Sequence, residues 1–178
     1  MRRSRGDTLS GSRGTLYRLS KSAIGEGAFG VVRTAEVDPR TPSPRQHGDA
    51  GAEKEAVAIK QLIQVFDDRR MIRRMLRELR VLHSFRHKNI IELLDVIWDK
   101  NTSNLYIVTA LYKCDLRQLI DRSPAMYRSL GEDGLTSIMR QVLEGLDFLH
   151  AGRIMHRDIK VRLGGEAKTR TNGLWVYV

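Results

Sequence analysis

The sequence predicts an α+β fold: an antiparallel sheet that carries one amphipathic helix and leads into a helical segment. Three observations predict it. Apolar and polar residues alternate on both sides of a glycine-rich turn in YRLSKSAIGEGAFGVVRTAEV, which is how two antiparallel strands joined by a tight loop are written. The period turns helical in MIRRMLRELRVLHSF. A longer helical stripe, GLTSIMRQVLEGLDFLH, follows two more short alternating runs. The 178 residues suffice for one ordinary domain or for part of a larger two-lobed one.

Composition narrows the class. With 41% hydrophobic and 29% charged residues, the chain has the make-up of a water-soluble globular protein, and no window approaches the ~18 apolar residues of a membrane span. No membrane partner is expected. The start, MRRSRGDTLSGSRG, has no apolar run after it and so does not read as a secretory signal. A single cysteine, Cys114, excludes an internal disulfide framework and fits a reducing compartment, cytoplasm and/or nucleus. The net charge of +10 comes from 31 Lys+Arg against 21 Asp+Glu. These basic residues are scattered, aromatics are few, and no zinc-finger or RNA-binding signature accompanies them, so nucleic acid is not the expected partner.

Residues 1–16 read as a flexible basic arm, small and polar without apolar periodicity. The glycine hairpin follows, then DPRTPSPRQHGDAGAEKE, whose Pro, Gly and charge make a long exposed loop. Its Thr41 and Ser43 precede prolines and could be phosphorylated, although proline there is more often plain loop punctuation. AVAIKQLI resumes as a strand. In the helix that comes next, Ile72, Met75, Leu76, Leu79 and Leu82 share one side and Arg73, Arg74, Arg77 and Arg80 the other. Glu78 falls on the rim of the apolar side and can point inward. IIELLDVIWD and NLYIVTAL read as strands separated by a polar turn at residues 100–103. Asp115 can cap a short helix, LRQLIDR. The last helix aligns Leu135, Ile138, Met139, Val142, Leu143, Leu146 and Leu149, with Gly152 as its stop.

The motifs that carry chemistry occur in a fixed order. Gly25, Gly27 and Gly30 with Val32 form G-x-G-x-x-G-x-V, in which backbone N–H groups can approach phosphates without an intervening Cβ. A dinucleotide-binding turn would need a helix directly afterwards, whereas VVRTAEV is β-branched and alternating, hence a strand. A lysine on a strand is usually a surface residue. Lys60 of VAIK, however, stands between the glycine loop and a helix with a rim glutamate, the order that builds a phosphate-binding ammonium held by a carboxylate, with Lys60 and Glu78 as the pair. His156, Arg157 and Asp158 follow the long helix. His83, His87 and His150 lack metal-like company and read as structural.

Taken in order, IGEGAFGVV, VAIK, RRMLRELRVLHSFRHKNIIELLDVI, LYIVTALYKCDL and MHRDIK resemble the protein-kinase family, covering most of residues 17–160. The likeness is to the serine/threonine class and its mitogen-activated-protein-kinase-like branch, with a cyclin-dependent relative as the alternative. It implies a kinase small lobe, a sheet plus one helix at 17–109, a hinge at 110–114, and the first helices and catalytic-loop start of the large lobe at 115–160, followed by a tail at 161–178 without family likeness.

The resemblance also implies roles. Ile24, Gly25, Glu26, Gly27, Ala28, Phe29, Gly30, Val31 and Val32 would cover ATP, and Ala58 would pack on adenine. Lys60, steadied by Glu78, would grip the α/β phosphates. Thr109 resembles the gatekeeper, the backbone of Ala110 and Tyr112 would bond the adenine edge, and Asp115 would reach the ribose. Asp158 would accept the substrate hydroxyl's proton, and Lys160 would neutralise the transferring phosphoryl group. Implied partners are protein substrates and an upstream activating kinase.

After Lys160 the pattern breaks. Leu163 stands where the family has the Asn that holds Mg2+, and no D-F-G occurs in the sequence, so both protein ligands of that ion are missing. The chain itself is therefore expected to be inactive, and the alternative reading is a non-catalytic nucleotide- or partner-binding kinase fragment. The break is expected to be an intron translated through: AAG-GTGAGG, one of the codon sets that would encode Lys160-Val161-Arg162, would also spell a splice donor, and an uninterrupted coding exon there would exclude the idea. The wide apolar stripe of the last helix and the uncharged LWVYV end predict self-association and poor solubility. Cys114, beside the expected nucleotide lip, reads first as a half-buried thiol and second as a target of ATP-blocked labelling.

Overall fold

The structure, a computed structural model, describes residues 8–27, 30–45, 55–111 and 124–155. The chain divides into two compact units, residues 1–80 with 93–111, and residues 81–92 with 112–178. The first is built on a six-stranded sheet of β1 (Thr8–Ser10), β2 (Leu16–Gly27), β3 (Gly30–Val37), β4 (Ala56–Leu62), β5 (Leu93–Asp99) and β6 (Asn104–Ala110). Their order is β1-β2-β3-β4-β6-β5, every pairing antiparallel. Helix α1 (Arg69–Ser84) leaves the sheet after β4, and the chain returns at the far edge as β5 before β6 closes back beside β4.

Strand alternation gives the sheet two apolar faces. One holds Tyr17, Ala35, Val57, Ile59, Tyr106 and Val108; the other holds Leu62, Leu105 and Ile107, covered by Val65 and by Met75 of α1. Each fully buried large side chain contributes roughly 1.5–3 kcal/mol relative to exposure. On α1 the buried direction runs through Met75 and Leu82, while Leu76 of the expected apolar stripe stays 44% exposed. At about 100° per residue it lies a quarter-turn or more from that direction.

Within the stretch expected to be a flexible arm, Thr8–Ser10 form β1. β1 pairs with β2, and the Gly11 N–H donates to the Thr15 carbonyl at 2.8 Å. The cause is a distant partner. Asp95 of β5 accepts from the Ser12 hydroxyl at 2.6 Å, the Ser12 N–H at 3.1 Å and the Tyr17 hydroxyl at 3.2 Å. Since β2 and β5 lie near opposite edges of the sheet, these bonds require it to curl until the edges meet, an exaggeration of ordinary strand twist. A register shift between Leu93 and Asp95 supplies the turn of the wall: Leu94 packs on the Tyr17 face, and Asp95 reaches the same interior.

Within the second unit lie α2 (Pro124–Ser129) and α3 (Gly131–Ala151). Buried Asn89 donates to the Gln141 carbonyl at 2.9 Å and to Glu144 at 3.0 Å. Phe85 meets Phe148 edge-on at 5.8 Å, and His87 stacks on Phe148 at 4.8 Å. Lys88, then Asn89, hold the Glu144 carboxyl below its ordinary range. Ile138, Val142 and Leu149 of the expected α3 stripe are buried, whereas Met139 and Leu143 are exposed, because they sit a quarter-turn or more round the helix. The helix stops at Gly152, but the left-handed residue is Arg153, φ 59°. Its N–H reaches the His150 carbonyl, and that of Ile154 reaches the Leu149 carbonyl, a Schellman closure. Gly152 serves close packing instead, since a Cβ there would press on the Phe85 ring.

Candidate nucleotide site

The glycine motif forms the end of the β2–β3 hairpin, with Gly25 opposite Val32, Glu26 opposite Val31 and Gly27 opposite Gly30. Gly30 is the glycine that geometry demands. Its φ is +133°, and a Cβ would overlap the Gln61 carbonyl oxygen of β4. Register then carries the row across the sheet: Val32 faces Lys60, Lys60 faces Ile107, and Ala58 faces Thr109. Since residues paired across strands share a face, four of the expected site residues, Val32, Ala58, Lys60 and Thr109, come together on the face that α1 covers.

Lys60 meets α1 on that face. Its Nζ lies 3.4 Å from Glu78 Oε1, and the two side chains keep 20% and 28% of their exposure. Met75 and Leu79, packed into the cluster with Leu62 and Ile107, fix the rotation of α1 and so aim Glu78 at β4. The pair is therefore held by the packing of an apolar face, not by its own modest attraction. A part-desolvated ammonium is a cation whose hydrogen bonds to an anion would be charge-assisted and so strengthened. Thr109 keeps 7% and Ala110 8% of its surface, while Ile24, at the start of the glycine turn, keeps 48%. Ile107, buried next to Lys60 across β6, supports the site and was not singled out by motif; its signal lay only in the register of two strands.

Ala28, Phe29, Tyr112, Asp115, Asp158 and Lys160 lie outside the described residues, as do the Glu26 side chain, Cys114, the expected short helix and the 161–178 tail. Among the described residues no group of three or more His, Cys, Asp or Glu could hold a metal ion, and no helix is long and apolar enough to cross a membrane.

Residues 18–162 match the protein kinase domain family, and the chain belongs to it. Its relatives are mitogen-activated-protein-kinase-like. It is 38% identical over 140 residues to the serine/threonine kinase NLK of Caenorhabditis elegans, covering 77% of this chain and 19% of that protein. It is 38% identical over 140 residues to mitogen-activated protein kinase 7 of Arabidopsis thaliana and over 141 residues to the human mitogen-activated protein kinase 12, covering 77% of this chain in each case. The chain spans 19%, 33% and 34% of the lengths of these three relatives.

Proposed function

We propose that the site seats ATP as part of a mitogen-activated-protein-kinase-like serine/threonine kinase, whose reaction transfers the terminal phosphoryl group of ATP to a protein hydroxyl. The observation that carries this is the Lys60–Glu78 pair, 3.4 Å apart on the face shared with Val32, Ala58 and Thr109. Ala58 and Val32 offer a flat apolar contact for a base, Lys60 a cation for the α/β phosphates, and the Gly25–Gly30 turn backbone donors with little side-chain obstruction. The backbone of Ala110 and Tyr112 and the Asp115 carboxylate would complete the nucleotide's contacts, with Asp158 and Lys160 serving the substrate hydroxyl and the moving phosphoryl group. Protein substrates and an activating kinase are the partners this reading implies, in the cytoplasm or nucleus.

In this family Mg2+ neutralises the phosphates. The residues present do not fit it at one position: Leu163, with no oxygen to offer a hard cation, stands where the family has the Asn. We therefore propose that the chain by itself binds nucleotide without transferring phosphate, a non-catalytic fragment of a kinase. Titrating a fluorescent ATP analogue tests the site. Lys60→Met should weaken binding about tenfold or more, with folding verified by circular dichroism. Equal affinity in Lys60→Met would refute the assignment. Phosphotransfer to a generic protein substrate, abolished by Asp158→Asn, would refute the proposal of inactivity while leaving the nucleotide site intact.

A further inference from the structure

The connection from β3 to β4 carries two hydroxyls that precede prolines, and the structure sets them in different surroundings. Thr41 is tied into the fold. Its hydroxyl donates to the Asp38 carbonyl at 2.7 Å and accepts the Leu16 N–H at 3.1 Å, while the buried Thr15 hydroxyl donates to the carbonyl of the adjoining Pro42 at 2.8 Å. Ser43 is exposed. Its hydroxyl donates to Glu55 Oε2 at 2.8 Å and accepts the Arg45 N–H at 3.1 Å, and Arg45 Nε donates to Glu55 Oε1 at 2.8 Å.

Arg45 thus offers a backbone N–H to Ser43 Oγ and a guanidinium to the carboxylate that the same oxygen touches, which makes a niche for an anion, filled by Glu55. A phosphate on Ser43 Oγ would bring about two negative charges to that point. It would repel Glu55 and take Arg45 from it. Glu55 leads into β4, and its carbonyl accepts the Val37 N–H at 2.9 Å, so the exchange would be felt where β3 and β4 join. Pro44 is buried, so an enzyme reaches Ser43 when residues 43–45 lift and the Glu55 bonds open. Reaching Thr41 would also undo the anchors to Leu16 and Asp38.

We propose that Ser43, and not Thr41, is a phosphoacceptor for a proline-directed protein kinase, and that its phosphate replaces Glu55 as the partner of Arg45. The terminal phosphoryl group of ATP passes to Ser43 Oγ as its bond to the β-phosphate oxygen breaks; ADP leaves, and the hydroxyl proton goes to the base of the acting kinase. Treating the full chain with a purified proline-directed kinase and Mg-ATP, then following both sites by tandem mass spectrometry, tests the choice. Ser43 should be labelled about tenfold faster than Thr41, whereas in an unfolded peptide of residues 36–49 the two rates should agree within about threefold. No label on Ser43, Thr41 labelled as fast, or the same preference in the peptide would overturn the proposal. Phosphorus NMR of the labelled chain tests the exchange. The phosphoserine should titrate below its ordinary midpoint of about pH 6, and Arg45→Gln should raise that midpoint by about half a unit; a midpoint left unmoved would refute the exchange. If Arg45→Gln fails to fold, Glu55→Gln decides: removal of the competing carboxylate should lower the midpoint further, and an unchanged value refutes it.

Discussion

Replacing Asp95 by alanine tests how the curled sheet is closed. The carboxylate keeps 8% of its surface and takes the hydroxyl of Tyr17, itself fully buried, together with both donors of Ser12 and the N–H of Val96 at 2.8 Å. Ser12 is exposed and can turn to water. The Tyr17 hydroxyl cannot, and an orphaned buried donor costs about 1–3 kcal/mol. With the Val96 N–H and the lost Ser12 bonds, Asp95→Ala should cost about 2–4 kcal/mol. Asp95→Asn keeps one acceptor oxygen but turns an amide toward donors, and should lose about half of that. Urea unfolding gives the magnitude, and amide hydrogen exchange gives the place: Ser12 and the β1–β2 pairing should lose protection first. A loss below about 0.5 kcal/mol, or unchanged exchange at Ser12, would refute the idea that this carboxylate joins the two sheet edges.

Gly30→Ala should destabilise the glycine hairpin by about 2 kcal/mol or more, because it combines a left-handed backbone with an overlap on Gln61; equilibrium unfolding and nucleotide titration of the variant check it. The Tyr17 phenol is raised above its usual value, first by burial and then by the Asp95 charge. The folded state thus holds that proton more tightly, so its contribution is complete below about pH 10 and is lost as pH rises beyond it. Tyr17→Phe should therefore flatten the alkaline limb of the stability curve, measured by denaturation between pH 9 and 12, even though it weakens the protein at neutral pH. Arg153→Gly should raise thermal stability by roughly 0.5–1 kcal/mol, since glycine adopts the left-handed closing position of α3 without Cβ strain.

Local patterns made much of this fold readable. The 2-residue period marked β2, β3, β4 and β6, and the helical period marked α1 and α3, because each element buries one side against something and so must sort its side chains. What escaped depends on pairings far apart in sequence. Thr8–Ser10 is too short to display a period, and its order comes from Asp95, 83 residues from Ser12. Leu76 of α1 and Met139 and Leu143 of α3 are exposed although helical spacing sets them beside the apolar stripe. Hydrophobicity says that a residue could be buried; only the neighbouring element says that it is.

The candidate site illustrates the same division. Spacing alone proposed that Lys60 and Glu78 belong together, yet 18 residues separate them, and nothing local to either side chain brings them close. Three non-local facts do: β4 lies between β3 and β6, Gly30 lets the hairpin lie against Gln61, and Met75 with Leu79 sets the rotation of α1 on Ile107. Of these, the packing of α1 is the adjustable one, because a helix held by an apolar stripe can rotate or slide at modest cost whereas a strand in register cannot. Shortening Leu79 to alanine should accordingly lengthen the Lys60–Glu78 approach and weaken nucleotide binding while leaving the β3–β4 pairing intact. Loss of protection in β4 upon that change, with the ion pair unaltered, would mean that the sheet and not the helix governs the site.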